Sequence, residues 1–153
     1  MDNYQSRRNF SDRFLPEVKK LVGLAFIREA SLSEDKLWAT DLVVPNLRIS
    51  VRIRRSKWLE RYGNEFTLRA SAPGGLPSEY AKLAQHHPGD AEHLIYCFVD
   101  NEDKIIRAWL IDLTKWYYAI INNRVTPMRF KNKDAEEVVS FPCLGEYSKL
   151  LVG

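Results

Sequence analysis

The segment Leu47-Arg48-Ile49-Ser50-Val51-Arg52-Ile53-Arg54-Arg55 alternates aliphatic and polar side chains from its start to Arg54. Successive side chains of an extended chain point to opposite faces, so the pattern predicts a strand. Leu47, Ile49, Val51 and Ile53 would face a core, with Arg48, Arg52 and Arg54 on the other side. A turn at Tyr62-Gly63-Asn64 leads to a shorter strand over 65–70, with Phe66 and Leu68 inward and Thr67 and Arg69 opposite. If these two strands pair, their arginines form one basic sheet face.

Upstream, Phe14, Val18, Leu21, Val22, Ala25 and Phe26 recur at helical spacing, and Pro16 suits a first turn. The spacing predicts a helix over 11–30 after a loose, flexible basic leader at 1–11, then a strand over 37–44 closed by Pro45. Downstream, the Pro- and Gly-rich 72–77 reads as a turn, and Ser78 caps a short helix over 79–85. A polar connection, 86–93, precedes a buried strand over 94–99 and a hairpin turn at 100–103. The returning strand, 105–113, sets Arg107, Trp109 and Ile111 opposite Ile106, Ala108 and Leu110. The aromatic and aliphatic 116–121 fits helix or strand, and a late strand falls over 138–141. The order α-β-β-β-α-β-β, followed by a mixed tail, describes a single α+β domain over 1–153 with a mostly antiparallel central sheet.

A chain of 153 residues buries a core of its own without staples, and 45% hydrophobic with 28% charged residues excludes wholesale disorder and fibrous classes. No apolar run approaches the roughly 20 residues of a bilayer span, so no membrane association is expected. The polar start lacks the apolar stretch of a secretory signal. Cys97 and Cys143 are too few for a disulfide framework, and a cytoplasmic setting is expected. The net charge of +3 is unevenly spread. Residues 45–70 hold seven basic side chains (Arg48, Arg52, Arg54, Arg55, Lys57, Arg61 and Arg69) against Glu60 and Glu65. A localised positive patch points to an anionic partner.

Guanidinium groups present paired donors that match phosphate oxygens, and Arg48, Arg52, Arg54, Arg55 and Arg69 are the candidate contacts. Trp38, Trp58 and Tyr62 flank them, as stacking partners for bases or sugars would. The alternative is an ordinary strand face paired with acids on a neighbour. Asp41 stands in an apolar strand context, where a carboxylate requires a cation or a metal. An arginine of the next strand would satisfy it; so would a divalent ion, with Glu29 or Glu79 as further acid. Glu79 and Lys82 share a helix face, an arrangement common in surface pairs. His86, His87, Asp90, Glu92 and His93 cluster without a zinc-site spacing. Cys97 lies in an apolar run where a thiol is a small hydrophobe, and Pro73-Gly74-Gly75 lacks the Lys and Ser/Thr of a phosphate-binding loop.

The order helix, three strands, helix, strand over 14–99, with Asp41 in Ala39-Thr40-Asp41-Leu42-Val43-Val44, resembles the core of the PD-(D/E)XK nuclease superfamily, which includes restriction enzymes and Holliday-junction resolvases. In that family an Asp on one strand and Glu-x-Lys on the next hold Mg²⁺ beside the scissile phosphate. Here Arg52-Ile53-Arg54 stands where Glu-x-Lys belongs, and Thr67-Leu68-Arg69 one strand later also lacks the acid. The resemblance implies Asp41 and Glu79 as Mg²⁺ ligands and Arg54 beside the phosphate, should the chain cleave. The arginine-rich segments are also similar in look to small phage or mobile-element proteins.

The expectation is therefore a nucleic-acid-binding protein, DNA favoured over RNA, with a nuclease-like core. Metal-dependent phosphodiester cleavage is conditional on a completed site. The alternative is a non-catalytic module or inhibitor that sets the same basic face against an acidic protein, with Trp109, Trp116, Tyr117 and Tyr118 as anchors.

Overall fold

The computed structural model describes residues 4–26, 28–29, 42–43, 47–71, 78–85, 91–131 and 136–153. The chain divides into two compact units, Met1–Leu47 and Arg48–Gly153.

In the first unit, α1 (Tyr4–Asp12) and α2 (Leu15–Phe26) precede a short antiparallel pair, β1 (Arg28–Glu29) with β2 (Leu42–Val43). The leader expected to be loose is thus helical over most of its length. Side chains four apart support it, with Gln5 donating to Asn9 at 2.9 Å and Arg8 lying 3.8 Å from Asp12. Pro16 sits in the first turn of α2, where its missing N–H costs nothing. Phe14 and Val18, the start of the predicted stripe, are buried.

The second unit contains two sheets. Strand β3 (Ile49–Arg55) runs through a 3-10 turn (Ser56–Trp58) into the single turn α3 (Leu59–Tyr62), then β4 (Glu65–Arg69) and α4 (Glu79–Gln85). There follow β5 (His93–Val99), β6 (Ile105–Asp112), α5 (Leu113–Ile121), β7 (Met128–Lys131), β8 (Glu137–Pro142) and β9 (Ser148–Val152). The larger sheet has the order β3-β5-β6-β9 and the smaller one β4-β8-β7. Only β3 with β5 is parallel, the intervening chain returning β5 to the same direction. The other pairs within these two sheets are antiparallel, so the α+β class and the mostly antiparallel pairing hold.

One prediction about neighbours is corrected. Strands β3 and β4 do not pair; they lie in different sheets, so no single basic sheet face forms from the two. The alternation specifies faces, and it is silent on which strand lies alongside.

The inter-sheet core holds Leu94, Tyr96, Phe98 and Ile111 from one sheet and Phe66, Leu68, Val139 and Phe141 from the other, with Leu83 of α4 and Trp116 of α5. Phe66 stacks on Phe141 at 4.9 Å between centroids, and Trp116 meets both rings edge-on. Truncating Trp116 to Ala would cost about 3–5 kcal/mol. The ambiguous 116–121 is helical because Asp112 caps it, accepting from the Lys115 N–H at 2.9 Å, and because Trp116 and Ala119 recur on its buried side. Strand β5 is buried on both faces from Leu94 to Val99, as its unbroken apolar run requires.

Candidate nucleic-acid interface

The register of β3 on β5 decides where the arginines go. Arg52 lies opposite Tyr96 and Arg54 opposite Phe98, and residues in register share a face. Tyr96 and Phe98 belong to the inter-sheet core, so Arg52 and Arg54 extend from the core side of β3 and not from an outer, solvated face. The alternate face, with Ile53 beside Cys97, is buried as well. An edge strand accommodates this because its long side chains reach past the rim of the core; inward charges on edge strands also discourage pairing with another chain.

At that rim the guanidiniums meet β4 and α4. Arg52 Nη1 donates to both carboxylate oxygens of Glu79, at 2.5 and 2.7 Å, and the Arg69 backbone N–H donates to Glu79 Oε1 at 3.2 Å. Glu79 is therefore committed to protein cations and donors. Burial alone would raise its carboxyl pKa, but the Arg52 charge and these hydrogen bonds outweigh burial and hold it below the usual carboxylate range. Burial likewise opposes the charge on Arg52, and Glu79 more than restores it. Ser78 starts α4 as the sequence indicates, accepting from the Ala81 N–H at 3.1 Å, and this cap fixes where Glu79 points.

Arg54 is held differently. Its Nη1 donates to Thr67 Oγ1 at 2.9 Å, and Thr67 Oγ1 shares a hydrogen bond of 3.2 Å with the Tyr96 hydroxyl. Thr67 and Tyr96 are both buried. Arg69 Nε lies 3.9 Å from Glu136. The corner thus collects the guanidiniums of Arg52, Arg54 and Arg69 against the carboxylates of Glu79 and Glu136, with the neutral Thr67 as the anchor of Arg54.

The remaining candidates separate. Arg48 is exposed just ahead of β3, its carbonyl accepting from the Glu92 N–H at 3.0 Å. Arg55 breaks the alternation and turns to the β5–β6 hairpin, donating to Asp103 at 2.9 Å. Asp41, Trp38, His86, His87 and Asp90 lie outside the described residues. Glu29 is in the other unit. Asp103 explains why part of the patch is paired: an acid distant in sequence arrives through the hairpin, where the Asp100 backbone carbonyl also accepts from Arg55 at 3.5 Å, and a window count sees neither.

Of the two Mg²⁺ ligands implied by the resemblance, Asp41 lies outside the described residues, and Glu79 is engaged by protein groups. Arg52 occupies both oxygens of Glu79, and a guanidinium at that distance repels a second cation. Among the described residues no group of three or more His, Cys, Asp or Glu is placed to hold a metal ion. Cys97 is fully buried, and burial together with the charge of Glu65 pushes Cys143 up to about 12, so neither thiol is poised as a nucleophile. Of the anchors expected for a protein partner, Trp116 is core, and the Trp109 Nε1–H donates to the Gly63 carbonyl at 2.7 Å. Tyr118 stands exposed on α5 together with Ile121.

Sequence reasoning missed Arg107. It lies opposite Phe98 in the β5–β6 register, on the same core-side face as Arg54. The signal was present in the period-two reading, which grouped Arg107 with Trp109 and Ile111: a cation on an otherwise apolar strand face. No helix among the described residues is long and apolar enough to cross a membrane. No protein-family model matches the chain, and no curated protein matches it as a relative.

Proposed function

We propose that the chain binds nucleic acid, DNA before RNA, through its phosphates, with Arg54 as the central contact and Arg48 and Arg69 around it on a nuclease-like core. The observation that carries this reading is the anchoring of Arg54 by a neutral hydroxyl. Thr67 and Tyr96 fix the guanidinium without neutralising it, and its other donors make no protein hydrogen bond among the described residues. A fixed, uncompensated guanidinium meets a phosphate with little ordering cost. Binding without cleavage is favoured because, among the described residues of this corner, Glu79 is bound to Arg52 and the Arg69 N–H, and Glu136 lies 3.9 Å from the Arg69 guanidinium. A protein partner is the second reading, favoured by the exposed Tyr118 and Ile121 of α5 and Met128 of β7.

Fluorescence anisotropy with labelled duplex DNA, single-stranded DNA and RNA over a salt series tests the proposal. Arg54→Ala should weaken binding about five- to tenfold and lower the salt slope by about one. Arg55→Ala, whose charge already meets Asp103, should change little. Equal affinity of Arg54→Ala and the parent protein would overturn the proposal. Absence of binding at low salt, with capture of an acidic protein partner, would select the second reading.

A further inference from the structure

Beside the α3–β4 turn lies a hollow of about 630 Å³, in the size range of small-molecule sites. Its wall includes Ser56, Glu60, Asn64, Glu65 and Arg107. Arg107 enters it between two glycines. A Cβ on Gly63 would stand 2.7 Å from Arg107 Nη1 and 2.5 Å from the Leu59 carbonyl, and one on Gly153 would stand 3.0 Å from Arg107 Nε. Gly153 has φ +110°, which by itself favours glycine. The closest limit at Gly63 is the Leu59 carbonyl, and a side chain at either glycine would also crowd the guanidinium.

Having been admitted so closely, Arg107 is poorly satisfied. Its Nε is buried without a hydrogen-bond partner, and its one hydrogen bond among the described residues is a long one, Nη1 to Asn64 Oδ1 at 3.4 Å. Arg52, Arg55 and Arg69 each reach a carboxylate, whereas Arg107 reaches none among the described residues, although Glu60 and Glu65 line the same hollow. A half-buried guanidinium held open in this way favours an anion at its free nitrogens. The two carboxylates, balanced in the wall by Arg61 and Arg107, suit hydroxyl donors. Glu65 is already oriented, since Ser140 donates to its Oε2 at 2.9 Å.

We infer that this hollow binds a phosphate monoester carried on a sugar, the phosphate on Arg107 and the sugar hydroxyls toward Glu60 and Glu65. Nucleoside monophosphates and sugar phosphates share that chemistry. The site is separate from the Arg54 contact and stands whether or not the chain binds nucleic acid.

The test is isothermal titration and thermal melting of the full chain with ribose 5-phosphate, adenosine monophosphate, adenosine and inorganic phosphate. Both phosphate esters should bind and raise the melting temperature, adenosine should do neither, and inorganic phosphate should bind at least tenfold more weakly than the esters. A response to the nucleotide alone would assign a base contact and narrow the ligand to nucleotides. Asn64→Asp places a carboxylate beside Arg107 and should abolish ester binding while raising the melting temperature by about 2–4 °C. Arg107→Met should weaken ester binding at least tenfold, and Arg54→Met should leave it unchanged. Absence of ester binding at millimolar concentration, or its persistence in Asn64→Asp, would overturn the inference. Loss of ester binding in Arg54→Met with retention in Asn64→Asp would overturn it too, by assigning the phosphate to the nucleic-acid corner.

Discussion

The corner where β3 meets α4 and the hollow where β6 meets the α3–β4 turn both hold an arginine at the margin of one apolar core, and they treat it in opposite ways. At the corner, Arg52 is neutralised by a carboxylate that a helix cap delivers to it. At the hollow, Arg107 is admitted by two glycines and left without a counter-ion among the described residues. Arg54 stands between these cases, fixed by a hydroxyl and without a counter-ion among the described residues. The same side chain on the same face of one sheet is therefore structural at one position and available for a ligand at another. What separates Arg52 from Arg107 is whether the chain supplies an acid, since both extend from the same face of the sheet, Arg52 opposite Tyr96 and Arg107 opposite Phe98.

The largest expected effect comes from breaking the compensated corner. Arg52→Ala leaves Glu79 partly buried with only the Arg69 N–H for support, and should destabilise by about 2–3 kcal/mol in chemical denaturation. That is below the range for fully buried pairs, because Glu79 keeps 38% of its side-chain exposure. Replacing both partners, Arg52→Met with Glu79→Leu, should recover most of the loss, since the pair's attraction is offset by its desolvation. Failure of the double variant to recover would mean that the pair contributes more than mutual neutralisation. The comparison with Arg107 predicts no such loss there: its removal should not lower stability, because its one partner among the described residues, Asn64, is exposed to water.

The corner also carries a pH signature. Glu79 titrates lower in the folded chain than its ordinary value of 4.5. A carboxyl with a depressed folded pKa contributes stability above the unfolded value, and the contribution is lost as pH falls through the folded one. The stability gap between the parent and Glu79→Gln should thus be full at pH 6–7 and should close progressively below about pH 4.5. Denaturation midpoints measured from pH 7 to pH 3 check this, and a gap that stays constant over that range would show that Arg52 does not hold the carboxylate.

How much of this was legible in the sequence follows from what a pattern encodes. The alternation from Leu47 to Arg54 identified β3, the unbroken 94–99 run identified β5, and Ser78 identified the start of α4, all from local chemistry. Face periodicity could not reveal that β3 sits beside β5 and β4 beside β8, because neighbour choice is made by packing between segments 44 residues apart in the first case and 69 to 77 in the second. The same limit hid the site. A basic window counts Arg52, Arg54 and Arg55 alike, yet Glu79, Thr67 and Asp103 decide their fates from elsewhere in the chain. Helix α1 was missed because its polar sequence offers no apolar stripe, and its i,i+4 pairs are a weak signal beside one.

Arg55 supplies the mildest member of the comparison, an arginine that is paired but only half-buried. Its partner Asp103 sits in the β5–β6 hairpin with φ +59°, where Asp100 Oδ1 accepts the backbone N–H groups of Glu102 and Lys104. Two effects oppose each other there. An exposed ion pair contributes about 0.2–1 kcal/mol, and a non-glycine residue in the left-handed region costs about as much. Asp103→Gly removes both and should leave stability unchanged within about 0.5 kcal/mol. Asp103→Ala removes the pair, keeps the strained backbone without a polar side chain to ease it, and should cost about 1 kcal/mol. Thermal melts of the two variants at low and high salt separate the contributions: added salt should shrink the part of the Ala deficit that comes from the pair and leave the backbone part. Equal losses for Gly and Ala would show that the Arg55 pair carries the whole effect, and would place this corner with Arg52 among the pairings that the fold depends on.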